Sequence, residues 1–110
     1  MPYLPLVIMD TCGELDVFRT PETMSNWLEA VDVRDGEYRV FDCAGVEYEV
    51  WAASDSSPVM LGPMIGHETE LVLHFARHFV DLARRRGDTT SSLELVSAED
   101  VQRALIPYAR

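Results

Sequence analysis

The chain has 110 residues, 47% of them hydrophobic and 25% charged, which is the size and balance of one folded domain over residues 1–110 and not of a disordered, highly charged segment. Its formal charge is -10, with nine arginines and no lysine, a field that repels duplex nucleic acid and anionic lipid and argues against either as a partner. The acidity is lopsided: residues 1–70 carry 14 acidic and 3 basic side chains, whereas residues 71–110 carry 5 and 6.

Tyr3 to Met9 is apolar and partly β-branched and reads as a strand; Asp10 to Gly13 supplies a turn, and Glu14 to Phe18 a second strand. The alternation in that second strand places Leu15 and Val17 inside and Glu14, Asp16 and Phe18 on the wet face. The Leu4 to Met9 run is too short to span a bilayer and has no basic residue before it, so no export signal is read and a cytoplasmic location is expected. Thr20, Pro21 and Glu22 start a short helix that runs to about Ala30, with Met24, Trp27, Leu28 and Val31 as its apolar stripe. Arg34, Asp35 and Gly36 turn the chain into a hairpin, Glu37 to Asp42 and Val46 to Ala52, closed by Cys43, Ala44 and Gly45. On its second strand Val46, Tyr48 and Val50 share one face and Glu47, Glu49 and Trp51 the other.

Residues 53–57 are a polar connection, and Pro58 to Gly66 is apolar but broken by two prolines and two glycines. A brief strand at Val59 to Leu61 and then a loop are expected there, with Met60, Met64 and Ile65 placed in the core in preference to a contact surface. His67 to Arg86 reads as the longest helix, stopped by Gly87, with an inner arc of Leu71, Val72, Leu73, Phe75, Ala76, Phe79, Val80, Leu82 and Ala83. A polar loop at Asp88 to Ser92, a short strand at Leu93 to Val96, and a final helix opened by a Ser97 and Asp100 capping box complete the chain. Val101, Ala104 and Leu105 form the inner side of that helix. The class is α+β: an antiparallel sheet of about four to six short strands packed against a long central helix, with a short helix in the N-terminal half and another at the C-terminal end.

No catalytic constellation stands out, and an enzyme is not expected. His67, His74 and His78 stack at helical spacing as a possible metal stripe, yet the run His67 to Leu71, which begins like a zinc-protease motif, has leucine where the second ligand belongs. Neither Cys12 nor Cys43 lies in a redox motif, so both read as reduced thiols, and no metal or cofactor is expected. What stands out is the acidic hairpin: Asp35, Glu37 and Asp42 on or beside its first strand, Glu47 and Glu49 with Trp51 on its second. Like charges on neighbouring strand positions repel, with only Arg39 nearby to offset them, and a surface that keeps such a cost is suited to a basic partner.

The stretches Glu14 to Phe18, Thr20 to Glu22, Trp27 to Val33 and Gly36 to Tyr38 resemble small bacterial immunity proteins of polymorphic toxin systems over about residues 13–52. The resemblance implies a strand, a short helix and a hairpin at the start of the domain. It also implies a cytoplasmic protein that binds a cognate toxin domain and covers its active site. In that reading Asp35, Glu37, Asp42, Glu47 and Glu49 pair with the partner's cations and Trp51 is an anchor. The rival reading is a non-inhibitory adaptor or secretion chaperone that uses Met60, Met64 and Ile65 as an apolar contact.

Overall fold

The computed structural model describes residues 2–85, 87 and 95–110. The first apolar run forms β1 (Leu6–Asp10), which turns at Gly13 into β2 (Leu15–Phe18). The two pair antiparallel, Leu6 opposite Phe18 and Met9 opposite Leu15. Asp10 pins the turn with one carboxylate oxygen, which accepts from the amides of Cys12 and Glu14 at 2.9 Å each.

The Thr20 hydroxyl accepts from the Thr23 amide at 3.1 Å and caps α1 (Pro21–Trp27), as the sequence leads one to expect. The helix does not continue to Ala30. Leu28 is extended, and α2 (Ala30–Arg34) begins afresh, so the helical phase resets. Met24, Leu28, Ala30 and Val33 are therefore the buried positions, while Trp27 and Val31 of the expected stripe turn outward.

β3 (Tyr38–Phe41) and β4 (Val46–Trp51) form the expected hairpin, with Val40 opposite Tyr48 and Phe41 opposite Glu47. Gly45 makes its turn possible: φ is +87°, and a Cβ there would lie 2.5 Å from the Thr69 Cα. The Pro58 to Gly66 segment departs from expectation. After Val59 it is one continuous strand, β5 (Met60–His67), paired along β4 from Trp51 opposite Met60 to Val46 opposite His67. Prolines and glycines weaken a central strand, but β5 is an edge strand, and two register shifts along β4 absorb the misfit.

The five strands form one antiparallel sheet in the order β2-β1-β3-β4-β5. Its first face, with Leu6, Ile8, Phe18 and Val40, packs on Met24, Leu28, Ala30 and Val33 of the α1–α2 region. Its second, with Val7, Val17 and Phe41, packs on α3 (Thr69–Arg85) and α4 (Ala98–Leu105). This double cover corrects the reading of Phe18, which is completely buried instead of wet.

On α3, Val72, Leu73, Ala76 and Val80 are buried, and Leu71, Phe75 and Phe79 pack against them. The capping box is present at α4, where Ser97 and Asp100 satisfy one another's backbone amides and Val101 and Leu105 point inward. Residues 88–94, on which the Asp88 to Ser92 loop and most of the Leu93 to Val96 strand were read, lie outside the described residues, and Leu95 and Val96 are not in a strand. After a 3-10 turn at Ile106–Tyr108, Arg110 closes the free edge of β2: its amide donates to the Val17 carbonyl at 2.8 Å and its carbonyl accepts from the Arg19 amide at 3.0 Å.

Candidate functional site

The six hairpin residues read as a single acidic surface separate into three environments. Asp42 leaves the surface altogether. Its side chain is buried and accepts four hydrogen bonds, from the Ala44 and Val46 amides at 2.9 and 3.1 Å and from the Tyr3 amide and Tyr48 hydroxyl at 3.0 and 3.1 Å. A carboxylate saturated in this way anchors the hairpin turn to the N-terminal segment and is not open to a partner. Burial and the neighbouring Asp42 charge push the Cys43 thiol up to about 12, so it stays protonated and donates to the Pro5 carbonyl. Cys12 is exposed and the two cysteines do not pair.

Glu47, Glu49 and Trp51 share the face of β4 assigned to them. Helices α3 and α4 do not cover this outer part of the sheet, so Glu49 and Trp51 are exposed. Glu47 is engaged internally: Arg39 donates to both of its carboxylate oxygens, at 2.9 and 3.1 Å, and also to Glu68. The Glu47 side chain keeps 15% exposure, which leaves it little charge to offer. Trp51 lies against β5 because Gly62 has no side chain there; a Cβ would meet the indole at 3.3 Å. The expectation that Met60, Met64 and Ile65 fill the core is overturned. All three are exposed, at 47%, 66% and 59%, because β5 is an edge strand whose irregular register turns them outward. The two bulges and Pro63 also make this edge a poor template for another strand.

Asp35 and Glu37 meet further carboxylates at the turn from α2 into β3. Asp32 stands beside Glu37, and with Asp35 and Asp10 it holds the Glu37 carboxyl above its ordinary value; slight loss of hydration acts in the same sense. From this turn a groove of about 990 Å³ runs round the β1–β2 end of the sheet. Asp10, Glu14, Asp16, Glu29 and Asp32 line it, with Trp27, Tyr38 and Phe79 as aromatic walls. Burial, helped by Asp32, Glu37 and Asp10, raises the Tyr38 hydroxyl and keeps it a neutral hydrogen-bonding group. The lining includes one arginine, Arg110. Its Cζ lies 3.9 Å over the Trp27 ring and its Nε donates to Asp16 at 3.1 Å.

Sequence reasoning named neither this groove nor most of its residues. Asp10, Glu14 and Asp16 read as turn and strand positions, Trp27 as part of a helix's apolar stripe, and Glu29 and Asp32 carry no site reading of their own. The one usable signal is the run of acids flanking an indole between Glu22 and Glu37, with Arg34 the sole basic residue in that stretch.

The three histidines do not line up on one helix: His74 and His78 lie on a solvated face of α3, as the failed zinc motif leads one to expect, but His67 is not on that helix. His67 closes β5 instead of opening α3, and its Nε2 lies 3.0 Å from the Ala44 carbonyl. Among the described residues no group of three or more His, Cys, Asp or Glu side chains is placed to hold a metal ion. No helix among them is long and apolar enough to cross a membrane. In comparisons with known proteins, no family model, curated protein or solved structure matches this chain.

Proposed function

We propose that the protein is a stoichiometric inhibitor of the immunity type, which binds a basic bacterial toxin domain in the cytoplasm and blocks its active site with an acidic surface. The observation that carries this reading is the groove and its rim. Asp10, Glu14, Glu29, Asp32, Asp35 and Glu37 gather at one end of the molecule, and none of them is in an ion pair among the described residues. The arginines that do pair serve other acids: Arg34 holds Asp55, Arg39 holds Glu47 and Glu68, and Arg110 holds Asp16. At Glu37, whose carboxyl is raised chiefly by Asp32, such crowding costs stability in the free protein and is relieved when cations arrive. The same field speeds encounter with a basic surface and orients it. Relative to the hairpin reading, the acidic surface moves toward the α2–β3 turn, keeping Asp35 and Glu37, with Glu49 and Trp51 as a separate exposed pair.

The test is protection. If a neighbouring gene encodes a candidate toxin domain, cells that produce that domain should grow when this protein is co-produced, and purified pairs should bind one to one with an association rate that falls steeply with salt. A toxin domain that kills equally well in its presence overturns the reading. The exposed Met60, Met64 and Ile65 side chains favour a second reading, a non-inhibitory adaptor with an apolar contact. Binding that changes little with salt and is lost on Met64→Lys would select it.

A further inference from the structure

We propose that the groove beside β2 is an arginine-binding site, and that a partner protein's arginine enters it by taking the place of the chain's own Arg110. The proposal rests on the inhibitor reading for the class of partner and names the seat that partner uses.

Arg110 shows what the seat accepts. Its guanidinium lies over Trp27 with Cζ 3.9 Å from the ring centroid, and its Nε donates to Asp16 at 3.1 Å. A flat, forked cation satisfies both walls together, whereas a compact ammonium serves one at a time. The occupant is loosely held. The Arg110 and Asp16 side chains are 46% and 38% exposed and Trp27 is 54% exposed. At such exposure an ion pair and a cation–π contact each shift an equilibrium by no more than about fivefold.

The side chain can leave without opening the fold, because the Arg110 backbone, and not its guanidinium, bonds to Val17 and Arg19. The remaining wall asks for more than one cation: Asp10, Glu14, Glu29 and Asp32 line the same groove, and Arg110 pairs with none of them. A chain segment with an arginine and a further basic residue fits both the seat and its surroundings.

The experiment uses a blocked Gly-Arg-Gly-Arg-Gly peptide, its lysine counterpart, and spermine, each titrated into the full chain while amide and indole resonances are followed. The arginine peptide should shift the Trp27 indole and the Asp16 amide and bind at least about fivefold tighter than the lysine peptide. Arg110→Ala should bind it about five- to tenfold tighter than the parent, since the internal competitor is gone. Arg110→Lys should fall between the two. Asp32→Asn with Glu29→Gln should weaken it.

A purely structural Arg110 predicts an alanine variant that binds no better or worse, and that result overturns the proposal. So do silence at Trp27, equal affinity for the lysine peptide, or spermine binding as tightly as the arginine peptide, which would make the groove a small-polyamine site. If the arginine peptide fails while the co-produced toxin is still neutralised, the arginine seat falls and the inhibitor reading stands on another surface.

Discussion

Replacing Asp42 with alanine strands four donors at once. The amides of Ala44 and Val46 lose their shared acceptor, and the Tyr3 amide and Tyr48 hydroxyl lose theirs, all four at 2.9–3.1 Å in the parent. Hydrogen bonds to a charged acceptor contribute about 1.5–3 kcal/mol each, which sets a ceiling of about 6–12 kcal/mol. The four donor residues are only half-buried, so water re-satisfies part of the loss, and about 4 kcal/mol is the expected cost. Asp42→Asn keeps one oxygen for Ala44 and Val46 but sets an amide nitrogen against the Tyr3 N–H, for about 2 kcal/mol. Tyr48→Phe removes one donor and should cost about 1–2 kcal/mol. Urea unfolding followed by tryptophan fluorescence gives all three values. The double variant Asp42→Ala with Tyr48→Phe should be little worse than Asp42→Ala alone, because the bond is already gone. An alanine variant within about 1 kcal/mol of the parent, or an asparagine variant as damaged as alanine, would refute the anchoring role and return Asp42 to the candidates for partner contact.

Gly45→Ala should cost about 3 kcal/mol in the same assay, since its φ of +87° strains any side chain and the new methyl would meet the Thr69 backbone at 2.5 Å. Glu37→Gln should stabilise the protein at neutral pH. Asp32 beside it raises the folded-state pKa, so the contribution of Glu37 is intact below the ordinary glutamate value and lost as pH rises through the raised one. The gap between parent and variant should therefore close when melting temperatures are compared at progressively lower pH. Asp100 has the opposite sign. The Val96 and Ser97 amides hold its carboxyl low, and the capping it supports should weaken as pH falls through that lowered value, read as loss of α4 amide protection in hydrogen exchange. Met64→Lys and Ile65→Lys should stay within about 0.5 kcal/mol of the parent, because both side chains already face water.

Much of the local structure is legible in neighbouring residues alone. Thr20 before Pro21, Ser97 three residues ahead of Asp100, and the apolar arc of α3 from Leu71 to Val80 each encode an element through contacts within a few positions, and each is observed; the Leu82 and Ala83 side chains of that arc lie outside the described residues. The face of β4 that holds Glu49 and Trp51 was likewise readable, since alternation along a strand is a property of the backbone. The wet side assigned to Phe18, the outward Trp27, the continuous β5 and the buried Asp42 were not readable, because each depends on what packs against it from a distant part of the chain. Asp42 is the plainest case: one of its four donors, Tyr3, is 39 residues away.

The groove belongs to the same category. Its walls come from the β1–β2 turn, both short helices, the start of β3, His78 and Phe79 of α3, and Arg110, segments with no local signal in common. Composition and periodicity establish an acidic α+β domain with its charge in the first two thirds of the chain. Only the three-dimensional packing separates the carboxylates that serve the fold, Asp42 and Glu47, from those left crowded at the surface, because desolvation and ion pairing are decided by neighbours in space.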